Sequence, residues 1–367
     1  MENMVSLGVT KFNQSYWNGK KVLVTGHTGF KGSWLTIILS QMGCEVVGMS
    51  LKPNTEPSLF DTAGIESLCQ THIIDILDRE KVSLLLKSVK PDVVFHLAAQ
   101  SIVSRGYDQP LDTFYTNTVG TINLLEGLRF VGSIKSVVIV TSDKVYEVGT
   151  PSVAFKESDP LGGYDPYSAS KAAAELITAS YRNSFLKDQG VGVATARAGN
   201  VIGGGDWAVD RLIPDAIRAW SSHQSLILRN AHSTRPWQHV LEPLHGYILL
   251  AQRLASYPSS ADTYNFGPST ENALSVQNVV ELAKSNWPGA RVTLGEPSRE
   301  FHETLSLSVD SRKAMKDLGF APVWTAKEAV ELTMKWYYGY IKGRMPLELC
   351  LEDVESYYEF SVLQDGR

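Results

Sequence analysis

Hydrophobic and polar positions follow two different periods along the first half of the chain. Short apolar runs rich in β-branched residues are typical of strands buried on both faces of a parallel sheet. We place these strands at 21–25, 45–49, 72–76, 91–100, 137–140 and 192–197. Segments of helical period lie between them, at 33–42, 79–90, 113–129 and 167–185. This alternation predicts an α/β fold with a Rossmann-like, doubly wound parallel sheet.

The regular alternation weakens near residue 198. Helices are predicted at 212–220 and 242–255, and the strand 264–267 is expected to return to the main sheet. Two or three further helices are expected after residue 275. We therefore predict a smaller, interleaved C-terminal lobe that binds the substrate. The predicted division is a dinucleotide-binding domain over 17–197, with contributions from about 235–267, and a substrate lobe over 198–234 and 268–367.

The composition argues against a nucleic-acid-binding, membrane-spanning or metal-binding protein. The net charge is −5 and no Lys/Arg-rich block occurs, so we expect no nucleic-acid partner. No apolar run approaches the ~18 residues of a membrane span, and residues 1–17 resemble a loosely held leader rather than a signal peptide. The widely spaced cysteines, Cys44, Cys69 and Cys350, suggest reduced thiols in a cytoplasmic protein. The histidines His232, His239 and His245 are dispersed and no cysteine accompanies them, so we expect no metal site.

A glycine-rich turn joins the first strand to the first helix. Gly26 permits the tight turn, Gly29 lets the backbone approach a pyrophosphate, and Gly32 allows close packing of helix on strand. Glycines at this spacing between a strand and a helix predict a dinucleotide site.

The ends of the following strands complete the predicted cofactor site. Asp75 and Ile76 are placed to border an adenine ring, and small residues after the fourth strand suit a flat cofactor. The second strand ends without the acid that binds the ribose of NAD, and Lys31 and Lys52 leave room for a 2′-phosphate. NAD and NADP therefore both stay open at this point. The predicted cofactor residues are Gly26, Thr28, Gly29, Phe30, Gly32, Asp75, Ile76, Leu97, Ala98, Ala99, Tyr167 and Lys171.

Two short motifs carry the candidate chemistry. Thr141-Ser142-Asp143-Lys144 ends the fifth strand, and Tyr167 and Lys171 are four residues apart, on one face of a helix. A tyrosine has an ordinary pKa of about 10 and is a poor base until a nearby ammonium and a nicotinamide cation favour the phenolate. Tyr167 can then take a hydroxyl proton while hydride passes to the cofactor, with Thr141 holding the same hydroxyl. This predicts reversible oxidation of a secondary alcohol.

Asp143 and Lys144 indicate a second reaction. Oxidation of a sugar at C4 acidifies the proton on C5, so a base can remove that proton while an acid expels the C6 hydroxyl as water. Hydride then returns to C6. His96 is the other residue that could act as a base, but we interpret it as a packed histidine at the end of a strand.

Five motifs together define a resemblance. They cover residues 25–32, 141–144, 162–171, 197–207 and 235–244. In these motifs the chain is similar to the sugar nucleotide 4,6-dehydratases of the extended short-chain dehydrogenase/reductase family. Asp143-Lys144, where that family usually has Asp-Glu, resembles its CDP-glucose branch.

The resemblance implies a nucleotide sugar substrate, CDP-glucose, and a 4-keto-6-deoxy product on a route to deoxysugars of bacterial surface polysaccharides. It implies that Asp143 is the acid, that Lys144 stands in the position of the C5 base, and that the protein is a homodimer or homotetramer paired through helices 113–129 and 167–185. The residues implied to bind the sugar nucleotide are Gln100, Asn200, Arg211, Arg235 and His302.

Several alternatives stay open. Segment 149–157 lacks the tryptophan-rich pattern usual in the family, so another hexose or nucleotide is possible. An ordinary lysine is protonated at neutral pH, so Lys144 is either a base with a depressed pKa or a charged stabiliser of the enolate. A sugar nucleotide 4-epimerase would use the same oxidation without loss of water. A non-enzymatic cofactor-binding protein is disfavoured because Thr141, Asp143, Tyr167 and Lys171 are all present.

Overall fold

The predicted strands form one parallel, seven-stranded sheet in a computed structural model that describes residues 14–147, 154–228, 230–268, 274–295 and 307–365. The strands are β1 (Lys21–Thr25), β2 (Glu45–Ser50), β3 (Gln70–Ile73), β4 (Val93–His96), β5 (Ser136–Val140), β6 (Gly192–Arg197) and β11 (Thr263–Asn265). Their order across the sheet is β3-β2-β1-β4-β5-β6-β11, the doubly wound order with one added strand. The predicted fold class is confirmed.

Helices cover both faces of this sheet. Pro110–Phe114, a π-helical segment Tyr115–Val119 and Gly120–Leu128 follow one another directly where a single helix was predicted. The α-helices are α1 (Gln14–Trp17), α2 (Phe30–Gln41), α3 (Leu59–Thr62), α4 (Arg79–Val89), α5 (Val103–Asp108), α6 (Pro110–Phe114), α7 (Gly120–Leu128), α8 (Pro166–Tyr181), α9 (Leu212–Ser221), α10 (Leu241–Ser256), α11 (Val276–Ser285), α12 (Arg312–Leu318), α13 (Ala326–Ile341) and α14 (Pro346–Asp365). None of these helices, within the ranges described, has both the length and the apolar content to cross a bilayer.

Three short strand pairs lie outside the main sheet in the part of the chain that the structure describes. They are β7 (Val201–Ile202) with β10 (Gln238–His239), β9 (Thr234–Arg235) with β12 (Leu274–Ser275), and β8 (Ser225–Leu228) with β13 (Arg291–Leu294). These pairs fall where the alternation of strands and helices weakens. The division into two domains stays a prediction.

Strand register aligns the carboxyl ends that carry the candidate site. Thr25 of β1 pairs with His96 of β4, and His96 pairs with Ile139 of β5. The residues that follow these strands therefore emerge at the same edge of the sheet, where ligands bind in open α/β sheets. Alternate residues of β1 enter separate cores: Val22 and Val24 lie on one face of the sheet and Leu23 on the other.

Three predictions of local structure were wrong. The last part of the predicted leader is ordered, because α1 ends in Trp17, which is fully buried and stacks on Phe95. The third strand runs over Gln70–Ile73, so Asp75 and Ile76 lie beyond its end. Four helices follow residue 275 in the described ranges, since α13 and α14 add to α11 and α12.

Candidate active site

The glycine turn holds the carboxyl ends of β1 and β4 against the start of α2. Gly26 has φ +76°, and a Cβ there would lie 2.7 Å from the backbone nitrogen of Ala98. A Cβ on Gly32 would lie 2.1 Å from the carbonyl oxygen of Gly26. Gly29 precedes α2 without any side-chain cap, so the first N–H groups of the helix are available to an anion. These residues fit the pyrophosphate of a dinucleotide.

The neighbouring strand ends are held by hydrogen bonds to threonine hydroxyls. The Thr28 hydroxyl donates to the carbonyl of Leu51 (2.9 Å), at the end of β2. The backbone N–H of Ala98 donates to the Thr25 hydroxyl (3.1 Å). Asp75 is exposed and accepts a bond from its own turn, whereas Ile76 is buried beside Gly120. The predicted residues around the adenine thus border one edge of the sheet.

Lys31 is directed away from the position predicted for a 2′-phosphate, which corrects our interpretation of that residue. Its ammonium lies 6.0 Å from the ring of Tyr247. Burial lowers the pKa of Lys31 to about 7, with further effects from Arg211, Asp143 and Lys171. Lys31 therefore lies near the candidate catalytic groups Asp143 and Lys171. Of the two lysines, the exposed Lys52 remains near the end of β2.

His96 is a packing residue. Its two ring nitrogens are hydrogen-bonded to the hydroxyls of Thr25 (2.7 Å) and Thr121 (3.1 Å). Burial lowers its pKa to about 3, so the ring is neutral and both nitrogens are already engaged.

The start of α8 presents the tyrosine and the lysine. Asp165 caps the helix by accepting from the backbone N–H of Ser168 (3.0 Å), and Pro166 takes the first helical position. Tyr167 follows, and Lys171 lies one turn later with its ammonium donating to the carbonyl of Val140 (3.0 Å). The helix is thereby joined to the end of β5.

Burial controls the ionisation of both groups. It raises the pKa of Tyr167 to about 12, and the Ser142 hydroxyl opposes this rise in the pKa. Burial lowers the pKa of Lys171 to about 8, an effect partly offset by the Glu175 carboxylate. The cofactor-free phenol is therefore protonated, and activation requires an added positive charge such as the nicotinamide cation.

The two hydroxyls that follow β5 have different hydrogen-bond partners. Thr141 donates to the carboxylate of Glu175 (2.5 Å). Ser142 donates to Oδ1 of Asp143 (3.2 Å), and its hydroxyl acts to lower the pKa of the Tyr167 phenol. The role of Thr141 in holding the sugar hydroxyl stays a prediction, and Ser142 is a second candidate for it.

Asp143 lies against a glycine backbone. A Cβ on Gly199 would come within 1.9 Å of the Asp143 carboxylate, so only glycine leaves room there. Asp143 is 1% exposed, and its Oδ2 is buried without a hydrogen-bond partner among the described residues. Lys144 is half-buried beside it, and its backbone N–H donates to the Ser142 hydroxyl (3.2 Å).

A buried ion pair between Arg197 and Glu175 supports the end of β5 through a hydrogen bond to Thr141. The Arg197 guanidinium donates to both oxygens of Glu175, from Nε at 3.0 Å and from Nη2 at 3.1 Å. The same carboxylate accepts bonds from Thr141 and Thr195. Glu175 is one helical turn after Lys171, so the pair connects α8, β5 and β6 beneath the catalytic groups. Glu175 was not predicted from the sequence.

The predicted substrate residues are not all equally placed. Arg211 donates to Asp206 (3.0 Å) and Ser101 (3.4 Å), and Asn200, with φ +48°, follows Gly199. Arg235 is buried in β9. The side-chain amide of Gln100 donates to the carbonyl of Ile102 (3.0 Å) and to the Thr113 hydroxyl in α6 (2.9 Å). His302 lies outside the described residues.

A dinucleotide cradle beside a buried tyrosine, lysine and serine defines the class, an α/β enzyme of the short-chain dehydrogenase/reductase type. The family model described as GDP-mannose 4,6 dehydratase matches residues 23–333. A CDP-glucose 4,6-dehydratase of Salmonella typhimurium is 44% identical over 351 residues, which cover 94% of this chain and 98% of that protein. The chain therefore belongs to the GDP-mannose 4,6-dehydratase family of sugar nucleotide enzymes.

Two solved structures are similar across most of the chain. MoeE5 in complex with UDP-glucose and NAD has a TM-score of 0.74 and 25% identity, covering 88% of this chain and 99% of that one. The dTDP-glucose 4,6-dehydratase of Bacillus anthracis in complex with NAD has a TM-score of 0.72 and 22% identity, covering 90% and 100%. At that identity the second likeness shows the fold alone.

Proposed function

We propose that this chain is an NAD-dependent CDP-glucose 4,6-dehydratase that forms CDP-4-keto-6-deoxy-glucose. The observation that carries the proposal is the buried carboxyl of Asp143, which lies between Ser142 and Gly199 and whose Oδ2 has no hydrogen-bond partner among the described residues. A 4-epimerase needs no such acid, because it returns hydride to the carbon that lost it. The Salmonella relative, a CDP-glucose 4,6-dehydratase, supports the choice of CDP-glucose.

Each side chain of the site has its own role in the proposed reaction. NAD, when bound, supplies the hydride acceptor and donor. Tyr167 takes the proton of the C4 hydroxyl, which Thr141 or Ser142 holds, while Lys171 favours the phenolate by its charge. Asp143 then protonates the departing C6 hydroxyl. Arg211 and Arg235 are proposed to bind the diphosphate, because guanidinium groups match phosphate oxygens in pairs.

NAD rather than NADP follows from the position of Lys31. Two lysines could have met a 2′-phosphate, but the Lys31 ammonium lies against Tyr247 on the catalytic side. The exposed Lys52 remains as a single charge on a flexible stem, which is a weak phosphate site.

A substrate panel tests the proposal. CDP-glucose carrying deuterium at C4 is incubated with enzyme and NAD, beside UDP-glucose, dTDP-glucose and GDP-mannose. We expect water loss from CDP-glucose and deuterium at C6 of the product, measured by mass spectrometry and NMR. Preferred turnover of another nucleotide sugar would replace the substrate. A C4 epimer formed without loss of water would show an epimerase.

Lys144 is proposed to serve the elimination but not the oxidation. Lys144→Ala should leave hydride transfer from C4 intact and slow water loss about 100-fold, the scale of an acid–base group. Reduced nicotinamide, followed by its absorbance, should then accumulate on the enzyme. Lys135→Ala, at an exposed lysine just before β5, is the matched control. Equal loss of oxidation in Lys144→Ala would refute this division.

We also propose that the protein is a homo-oligomer in the cytoplasm. Exposed apolar side chains lie on the two helical segments expected to pair, including Leu111, Tyr115 and Leu176 at 66%, 50% and 63% exposure. A homodimer or homotetramer that covers them is expected, and light scattering after gel filtration measures its mass. The three free cysteines support a reducing, cytoplasmic location.

A further inference from the structure

The motif at 235–244 contains a buried glutamine that has no role yet in the proposed reaction. Gln238 lies in β10 and is 1% exposed. Successive residues of a strand point to opposite faces. The next residue, His239, packs on the rings of Trp34 and Trp324, so the side chain of Gln238 is directed away from that aromatic cluster.

The side-chain amide of Gln238 joins the ends of two strands of the main sheet. Its Nε2 donates to the carbonyl of Gly199 (3.2 Å), two residues after β6, and to the carbonyl of Phe266 (3.0 Å), directly after β11. Only the nitrogen of an amide can donate to two carbonyls, so these partners set the orientation of the group. The backbone N–H of Gln238 also donates to the carbonyl of Asn200 (3.3 Å). Gln238 therefore holds the segment after β6 at two consecutive residues.

The other end of the amide indicates what this position requires. The oxygen Oε1 of Gln238 is buried and has no hydrogen-bond partner among the residues whose positions are described. A buried acceptor without a partner costs free energy, and an apolar side chain would avoid that cost. The two N–H donors, and with them the grip on Gly199 and Phe266, are thus the property of glutamine that this position uses.

Gly199 is the backbone against which the carboxyl of Asp143 packs. A Cβ on Gly199 would lie 1.9 Å from Oδ2 of Asp143 and 2.2 Å from Oδ1. Oδ1 accepts the hydroxyl of Ser142 (3.2 Å), whereas the buried Oδ2 has no described hydrogen-bond partner. The direction of Oδ2 is therefore set by packing on Gly199, and the position of Gly199 is set in turn by Gln238.

We propose that Gln238 is a positioning residue for the elimination of water. By holding the carbonyl of Gly199, it keeps the glycine backbone against Asp143 and so keeps the acid directed at the C6 hydroxyl. This inference rests on the proposed 4,6-dehydratase reaction, in which Asp143 protonates the departing hydroxyl. The C4 oxidation depends instead on Tyr167 and Lys171 of α8, and the amide of Gln238 donates to neither. Loss of the amide should therefore slow elimination more than oxidation.

Gln238→Met tests this proposal, because methionine has nearly the same length and no amide. In single turnovers with saturating NAD and CDP-glucose, the absorbance of reduced nicotinamide gives the rate of hydride transfer from C4. Rapid quench and mass spectrometry give the rate of water loss. We expect the ratio of water loss to hydride transfer to fall about 100-fold, the scale of a misplacement of about 1 Å. Reduced nicotinamide should then accumulate. Saturating substrate removes any effect on binding through Asn200.

Asn123→Leu is the matched control, because Asn123 is another buried amide that donates to two carbonyls. It is 7% exposed, and its Nδ2 donates to the carbonyls of Ile76 (3.0 Å) and Leu77 (3.2 Å), beyond the end of β3. Its loss should lower the stability of the fold, as measured by thermal unfolding. The ratio of water loss to hydride transfer should keep its wild-type value.

The outcomes separate positioning of the acid from a purely structural role of Gln238. If Gln238→Met slows water loss no more than hydride transfer, the amide only supports the fold and the proposal is overturned. Gln238→Asn keeps an amide that is too short to reach both carbonyls. It should lower the same ratio to a smaller extent, and it carries the test if Gln238→Met does not fold. Failure of the wild-type enzyme to remove water from CDP-glucose would instead count against the proposed function.

Discussion

Tyr167→Phe is expected to lower the turnover of CDP-glucose by about 1000-fold, within the usual contribution of a general base. The phenol is the group placed to accept the C4 proton, and its pKa in the cofactor-free protein is raised to about 12 by burial. Because only the phenolate can accept a proton, the wild-type rate should rise with pH through the pKa that Tyr167 has in the cofactor complex. That rise should vanish in Tyr167→Phe. Steady-state rates of product formation across pH measure both effects.

Tyr264→Phe is the matched control for the loss of a buried phenol. Tyr264 lies in β11, is 2% exposed and donates to the carbonyl of Ser260 (3.1 Å), away from the pocket. It should retain the wild-type pH profile. Binding of NAD should survive in both variants, as measured by titration calorimetry. A Tyr167→Phe enzyme within tenfold of wild-type turnover would show that another group is the base.

Glu175→Ala is expected to destabilise the fold by about 3–5 kcal/mol, because it leaves the Arg197 guanidinium buried without its counter-charge. Both side chains of this pair are 3% exposed, so water cannot replace the lost carboxylate. The substitution also removes the charge that holds up the pKa of Lys171, so a smaller fraction of Lys171 should be ammonium at neutral pH. Unfolding by denaturant measures the first effect and the pH dependence of turnover the second.

A more exposed glutamate–arginine ion pair provides the control for this loss of stability. Arg129 lies one turn after Glu126 and donates from Nη1 to both of its carboxylate oxygens, and the side chains of Glu126 and Arg129 are 21% and 28% exposed. Glu126→Ala should cost no more than about 1 kcal/mol, the usual contribution of an accessible pair. Equal losses for Glu175→Ala and Glu126→Ala would contradict a special role for the buried pair.

The features that depend on local spacing could be predicted from the sequence. Gly26 and Gly32 are required by contacts within a single strand–turn–helix unit, and Tyr167 and Lys171 are related by one turn of one helix. The alternation of strands and helices likewise predicted the sheet, including the return of β11. These patterns could be interpreted directly, because the backbone of a single element sets the separation of the residues.

The features that depend on distant partners could not be predicted. Thr141 and Ser142 are adjacent hydroxyls at a strand end, and the Thr141 hydroxyl is taken by Glu175, 34 residues further along the chain. The direction of Lys31 depends on Tyr247, which comes from α10. The crowding of Gly199 against Asp143 is equally invisible in the sequence, although a glycine directly after β6 was a signal that could have been followed.

The edge of the main sheet is supplied late in the chain. β11 pairs with β6, from Thr263↔Thr195 to Asn265↔Arg197, although more than sixty residues separate the two strands in the chain. A truncated protein that stops soon after β6 would carry an open row of backbone N–H and C=O groups along a strand that is otherwise buried, which is a template for aggregation. During synthesis, therefore, the edge of the main sheet at β6 stays unpaired until β11 has left the ribosome.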